Sequence, residues 1–129
     1  MGPVWDFEWS IGIGWYEGSR PRNPDYWCVN GWYFPNLLEK EEFKSELKNQ
    51  WNKLLSDYPD LSSTINNKMD EWASEIQTSQ EMNFKKWDIL NKRVSVGGIP
   101  LGSYEAELEC DKQFIINRFQ WLDTAINNL

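Results

Sequence analysis

The chain contains no histidine, and this absence narrows the chemistry that its 129 residues can perform. Ser-His-Asp and Cys-His catalytic machinery both need an imidazole, so neither can be built within this chain. The cysteines, Cys28 and Cys110, are far apart in sequence and fit no zinc-binding spacing. We interpret them either as two buried thiols or as one disulfide that joins the N-terminal region to the last helix.

Long apolar runs and an excess of basic residues are also lacking. No apolar run approaches the roughly 18 residues that indicate a membrane-spanning helix. Met1-Gly2-Pro3 does not resemble the start of a secretory signal. The net charge of −7 argues against nucleic acid or an anionic membrane as a partner, since both attract basic surfaces. That charge is compatible with a divalent cation, a cationic protein or a neutral sugar. Oligomeric state is not indicated.

Aromatic residues, by contrast, are abundant. They make up 16% of the chain and include nine tryptophans, so a single domain of this length can bury a modest core with few residues. The chain opens almost directly on a strand-like aromatic run. We therefore expect Met1 to be the start of a piece of a longer parent protein, and the N-terminus does not indicate a cellular location.

Two regions follow from the pattern, residues 1–36 and residues 37–129. The first is rich in Gly, Pro, Trp and Tyr, which predicts strands and irregular loops. Asn30-Gly31 favours a tight turn, so we predict a short hairpin that pairs the residues before it with Trp32-Tyr33-Phe34. Arg20 to Asp25 contains two prolines and predicts a loop.

The second region has helical periodicity and predicts a small bundle of three to four helices. The first helix ends at Pro59, and Asp60 or Ser62 is predicted to cap the next, which is one long helix or two with a bend near Gln80. Ser103 is predicted to cap the last helix, after a connector. The predicted apolar positions are Phe43, Leu47, Trp51, Leu54, Leu55, Tyr58, Leu61, Ile65, Met69, Trp72, Ile76, Trp87, Tyr104, Leu108, Phe114, Ile115, Phe119, Trp121, Leu122 and Ile126.

The candidate site is the acidic pair Asp6 and Glu8, interleaved with Trp5, Phe7 and Trp9. In an extended segment the aromatic residues share one face and the two acids share the other, roughly 7 Å apart at the backbone. Two carboxylates at this spacing can converge on one cation. The alternative is an edge strand with a solvated acidic face.

The aromatic residues from Trp15 to Phe34 could stack on sugar rings, although core packing is the simpler interpretation. The helical residues Trp51, Trp72, Trp87 and Trp121 are predicted to be core residues. Lys85-Lys86 is predicted to lie on a solvated helix face.

Residues 2–12, Gly-Pro-Val-Trp-Asp-Phe-Glu-Trp-Ser-Ile-Gly, resemble the Pro-Trp-Asp-x-Asp-x-(Ser/Thr/Ala)-x-Gly segment of the CotH kinase family, the spore-coat-protein-H-like atypical kinases. The resemblance covers essentially the whole chain but corresponds to the C-terminal part of that family's domain. Its later landmarks are Trp32-Tyr33, Leu37-Leu38, Phe43, Trp51, Asn83, Trp87, Arg118 and Trp121-Leu122.

This resemblance implies the helical part of a kinase-like lobe, from a protein that transfers phosphate from ATP to protein Ser/Thr, including spore coat proteins. It also implies that Asp6 holds magnesium against the ATP phosphates, with Glu8 as an auxiliary ligand. Glu8 stands where the family usually has Asp. The phosphate-binding lysine and the catalytic-loop Asp and Asn have no counterpart before residue 1, so the chain alone is expected to be inactive. A spore-coat or cell-surface location is suggested.

Three other functions remain open. The chain could be a noncatalytic carbohydrate-binding or cell-surface interaction module, or a degenerate family member that acts as a scaffold. A glycosidase built on Asp6 and Glu8 is the weakest of the three, because two acids on one strand rarely flank a sugar bond from opposite sides.

Overall fold

The computed structural model describes Ile11, Pro24, Asp25 and residues 33–94 and 99–129. Within these residues the chain is mainly helical, as predicted, and forms no strand. The helices are α1 (Phe34–Leu38), α2 (Glu41–Asp57), α3 (Leu61–Glu75), α4 (Gln77–Lys86) and α5 (Tyr104–Asn127). The division into residues 1–36 and 37–129 stays a prediction.

The predicted hairpin lies almost wholly outside the described residues, and its one testable end is wrong. Phe34 was predicted to lie in the second strand, but it begins α1, with Tyr33 at the N-cap position. Pro35 explains the difference, because proline fits the first turn of a helix, where its missing N–H leaves no bond unmade.

The ends of helix α2 agree with the acidic residues at its start and the proline that follows it. Glu41 and Glu42 lie in its first turn, where carboxylates interact favourably with the helix dipole. The Lys44 ammonium lies 2.7 Å from a Glu41 carboxylate oxygen, and its hydrogen bond holds the pKa of Glu41 below the ordinary value. The helix ends at Asp57, shortly before Pro59, as the sequence predicts.

The start of α3 differs in detail from the prediction. Asp60 occupies the N-cap position, but its side chain makes no capping hydrogen bond. The sequence predicted a possible bend near Gln80, whereas the boundary between α3 and α4 lies at Ile76. Backbone hydrogen bonds continue across it, from Ile76 N–H to Trp72 C=O and from Gln80 N–H to Ile76 C=O. Ile76 alone therefore separates the two helices, and no loop lies between them.

Helix α5 starts as predicted, with the Ser103 hydroxyl accepting a hydrogen bond from Ala106 N–H at 3.1 Å. Two further bonds hold the chain just before it. The Glu107 carboxylate accepts from Leu101 N–H at 2.8 Å, and Leu90 C=O accepts from Gly102 N–H at 3.1 Å. Leu101 and Gly102, just before α5, are thus bonded to α5 and to the segment after α4, respectively.

Both α2 and α3 pack against α5, which is the central helix of the described part. Among the described residues, the buried hydrophobic side chains are Phe114 and Ile126, both on α5. Most other predicted apolar positions are half-buried. The apolar interface between the helices is therefore small. Individual polar contacts contribute much to fixing how the helices align.

Two predicted core residues are not in the core. Trp72 and Trp87 are 56% and 57% exposed, whereas Trp51 and Trp121, also predicted to be core residues, are half-buried. Tyr58 and Ile76 are exposed as well. Helical spacing predicted contact with the core at these four positions, and each of them is exposed. Lys85 and Lys86 are exposed, as predicted.

Candidate functional site

The predicted metal ligands Asp6 and Glu8 lie outside the described residues. Cys28 also lies outside them, and Cys110 is half-buried on α5. The choice between two thiols and one disulfide therefore stays open. The structure shows the helices and, among the described residues, a contact between α5 and Pro24 of the N-terminal region.

That contact is made by Arg118 on α5. Its guanidinium Nη1 donates a hydrogen bond to the main-chain carbonyl of Pro24, 94 residues earlier in the sequence. The guanidinium carbon also lies 5.0 Å from the centre of the Trp121 ring, one turn further along α5. The side chain is half-buried, so both interactions are shielded in part from water.

A second polar cluster joins α3 to α5 around Lys112. The Asn66 side-chain amide donates to the main-chain carbonyl of Lys112 at 3.2 Å, and both Asp70 carboxylate oxygens lie 2.9 Å from the Lys112 ammonium. The hydrogen bond to Asp70 raises the pKa of Lys112 above its ordinary value. Asn66 and Asp70 are one turn apart on α3, so two successive turns of that helix contact the same residue of α5.

Asn66 has an additional property. It is 7% exposed, and its amide oxygen Oδ1 has no hydrogen-bond partner among the residues that the structure describes. A buried polar atom without a partner costs free energy, so this side chain stabilises the interface less than a fully bonded amide would.

A third cluster joins α2 to the C-terminal half of α5. The Trp51 indole N–H donates to Asp123 at 2.9 Å, and the Trp51 and Phe119 rings lie 6.0 Å apart. Asn127 donates to the same Asp123 oxygen at 3.0 Å and accepts from the Asn52 amide at 3.1 Å. These bonds set how α2 lies along α5.

None of these clusters is a metal centre. Within the described ranges, no three Asp, Glu, His or Cys side chains are close enough together to hold an ion. In the same part of the chain, no helix combines the length and the apolar character that crossing a bilayer requires.

Exposed aromatic side chains form the most prominent surface feature. The Lys68 ammonium lies 5.5 Å from the centre of the Trp72 ring, and the Lys86 ammonium lies 5.2 Å from that of Trp87. Each pair is a cation–π contact at an exposed site, where such contacts are weak.

Comparison with known proteins adds what the framework alone does not show. The family model described as CotH kinase protein matches residues 1–122. This chain belongs to that family. No curated protein and no solved structure matches the chain. The match confirms the resemblance drawn from the Trp-Asp-x-Glu segment, and it extends through the described helices as far as Leu122.

Sequence reasoning missed the contacts that join the helices of this CotH-family chain. Arg118 was recognised as a landmark, but its pairing with Pro24 has no local sequence signal, because the partner is distant in sequence. Asn66 is polar and adjoins the predicted apolar position Ile65, so periodicity places it at the edge of the buried face and gives no reason to expect its burial.

Proposed function

We propose that this CotH-family chain contributes to ATP-dependent phosphate transfer onto protein Ser/Thr, with Asp6 as the magnesium-holding acid, Glu8 as an auxiliary ligand and the helices as scaffold. The observation that carries the proposal is the family match, which begins at residue 1 and therefore includes the acidic segment. A protein of the spore coat or cell surface is the proposed substrate class.

The chemistry of the two side chains supports this role. Magnesium prefers oxygen ligands and is commonly bound by one or two carboxylates together with substrate phosphates. When bound, the ion would bridge phosphate oxygens and neutralise charge that develops during transfer. The contribution of this chain would be to hold Asp6 at a fixed place, and the extra methylene of Glu8 gives that acid a longer reach than the aspartate usual in the family.

The chain by itself is proposed not to transfer phosphate. A kinase also needs a lysine on the phosphates and an Asp and Asn from the catalytic loop, and no counterpart of these is identified in this sequence. No observation on the described residues favours the carbohydrate-binding alternative, since the aromatic residues proposed for it lie mostly outside them.

The test is a calorimetric titration of magnesium-ATP into this chain and into a longer natural protein that contains it. Because magnesium keeps its waters unless several ligands replace them, binding to the chain alone should be weak and binding to the longer protein tighter. Asp6→Asn should weaken binding to the longer protein by about tenfold or more, an effect of about 1.4 kcal/mol.

Asp60→Asn is the matched control, because Asp60 is exposed and its side chain makes no capping bond. This variant should bind as the unchanged protein does. Tight binding that Asp6→Asn leaves unaltered would disprove the role assigned to Asp6.

A further inference from the structure

The sign of the charge reverses around the end of α4. Residues 85–93 contain Lys85, Lys86, Lys92 and Arg93 but only one acid, Asp88, in a chain whose net charge is −7. Four of the chain's 13 basic residues thus lie within nine positions, against one of its 20 acidic residues. All five charged side chains are exposed. Residues 85–93 therefore form a basic surface on a predominantly acidic chain.

Trp87 gives this basic surface an apolar component. Its ring is 57% exposed, and the Lys86 ammonium lies 5.2 Å from the ring centre. The Lys92 ammonium lies 2.8 Å from the carboxylate of Asp88, the residue that follows Trp87. An exposed aromatic ring and several positive charges are thus combined in one short segment.

Backbone hydrogen bonds hold the segment that follows α4. Lys92 N–H donates to Ile89 C=O at 2.8 Å, and Gly102 N–H, just before α5, donates to Leu90 C=O at 3.1 Å. Ile89 and Leu90 are half-buried, whereas their charged neighbours are exposed. The basic surface is therefore built on a helix end and on a turn that is bonded to the start of the next helix.

Two lysines of this surface keep their charge available. Lys92 is paired with Asp88, but within the described part of the chain Lys85 and Lys86 form no salt bridge. Both lie in the last turn of α4, where cations interact favourably with the helix dipole. An exposed ammonium still has donors for a further carboxylate. Flexible point charges spaced along a segment suit a run of carboxylates better than one phosphate, which planar arginine groups bind more specifically.

We propose that residues 85–93 bind an acidic protein segment that carries an aromatic residue. The carboxylates of the partner pair with Lys85 and Lys86, and its ring packs on Trp87, which is the anchor. Charge complementarity favours a short segment as the partner, because the chain beyond this surface is acidic and would repel an extended polyanion such as nucleic acid or an anionic membrane. This binding is independent of phosphate transfer.

Fluorescence anisotropy of a labelled peptide tests the proposal with the full chain. The probe is a short peptide of Glu and Asp with one central Phe, and the control peptide has Gln and Asn in place of the acids. The acidic peptide should bind and the neutral one should not. Binding should weaken as salt is added, because salt screens exposed charges. In amide NMR spectra of the chain, the acidic peptide should shift the signals of residues 85–93 most.

Matched lysine variants separate the local surface from the net charge of the chain. Lys85→Gln together with Lys86→Gln should weaken binding by about fivefold or more, because two exposed charge contacts are lost. Lys40→Gln together with Lys53→Gln changes the net charge by the same amount at exposed positions. That second pair should leave binding unaltered.

A matched tryptophan pair tests the anchor. Trp87→Ala should weaken binding by about tenfold. Trp72→Ala is the control, since Trp72 is 56% exposed and also lies beside a lysine, Lys68, and it should bind as the unchanged chain does. The substituted side chains are all exposed, so each variant should keep the helical circular dichroism of the unchanged chain.

Four results would overturn the inference. The first is an acidic peptide that does not bind even at low salt. The second is equal weakening by the two pairs of lysine substitutions, which would indicate attraction without a defined surface. The third is binding that Trp87→Ala leaves unaltered. The fourth is tighter binding to vesicles of anionic phospholipid than to the peptide, which would indicate a membrane as the partner instead.

Discussion

The Trp51 indole N–H on α2 donates to the Asp123 carboxylate on α5 at 2.9 Å, and this bond spans 72 positions of sequence. It sits beside the contact between the Trp51 and Phe119 rings. One side chain therefore supplies both apolar contact and a directional bond to the same interface. Because few side chains of the described helices are buried, such combined contacts help determine how the helices align.

Trp51→Phe should lower the free energy of unfolding by about 1–2 kcal/mol, because an aromatic ring remains but the hydrogen bond to a charged acceptor is lost. Urea unfolding followed by circular dichroism measures the change. Trp72→Phe is the matched control, since Trp72 is 56% exposed, and should alter stability by less than about 0.5 kcal/mol. Equal effects of the two substitutions would contradict a specific role for the bond to Asp123.

Asn66 should tolerate a nonpolar replacement better than an acidic one. Asn66→Leu removes the unpartnered amide oxygen together with the donor to Lys112, so we expect a change of less than about 1 kcal/mol. Asn66→Asp places a carboxylate against a carbonyl in a buried position and should cost about 2–4 kcal/mol at neutral pH.

The cost of Asn66→Asp should shrink as the pH falls and the carboxyl is protonated, because burial raises its pKa and the neutral form regains a donor. Thermal unfolding at several pH values follows this. The same pair of substitutions at the exposed neighbour Asn67 provides the control. An Asn66→Asp variant as stable as the unchanged chain would show that the site is not buried in solution.

The Lys112–Asp70 contact predicts a loss of stability at high pH. Because the pKa of Lys112 is raised in the folded chain, the contact stabilises fully below the unfolded pKa, ordinarily 10.5, and the benefit is lost as the pH rises through the folded value. Comparing melting temperatures near pH 8 and about pH 11.5 measures the loss.

Lys112→Met should show a smaller drop between these pH values than the unchanged chain, because the titrating partner is gone. Lys85→Met, at an exposed position on α4, controls for the titration of lysines in general and should drop as the unchanged chain does. An identical drop in Lys112→Met would mean that the pair does not contribute to the alkaline transition.

Gly102 should resist replacement by residues with a side chain. Its φ is +90°, in the region that L residues rarely adopt, and an added Cβ would lie 3.2 Å from the Asn91 side-chain oxygen. Gly102→Ala should therefore cost about 1–2 kcal/mol in unfolding free energy. Gly102→Asn should cost less, because asparagine enters left-handed conformations more readily. No difference between alanine and glycine would indicate that the turn before α5 relaxes.

Local pattern predicted a large part of the fold. The end of α2 before Pro59 and the Ser103 cap of α5 follow from short-range rules, since proline lacks an N–H and a serine hydroxyl can replace a missing backbone acceptor. The same rules are consistent with Pro35 in the first turn of a helix, although the sequence was interpreted as a hairpin strand up to Phe34. The Trp-Asp-x-Glu segment pointed to the family that the comparison confirmed.

Local pattern failed where burial depends on a distant partner. Trp72 and Trp87 recur at the helical spacing that is typical of core residues. Whether such a ring is buried depends on which other element packs over it, and periodicity does not describe that. For the candidate site, the sequence suggested Asp6 and Glu8 as metal ligands, a role that stays a prediction.

The sequence by itself determined the helical character of the chain, the residues at which α2 ends and α5 starts, and its membership of the CotH family, because propensity, capping and motifs act over a few residues. Tertiary structure alone decided that Arg118 meets Pro24, that Asn66 is buried, and that Trp72 and Trp87 are exposed. Each of these contacts or burials joins residues that are far apart in the sequence. The free energy of burial and of hydrogen bonding depends on all the partners of a residue, and no short stretch of sequence contains those partners.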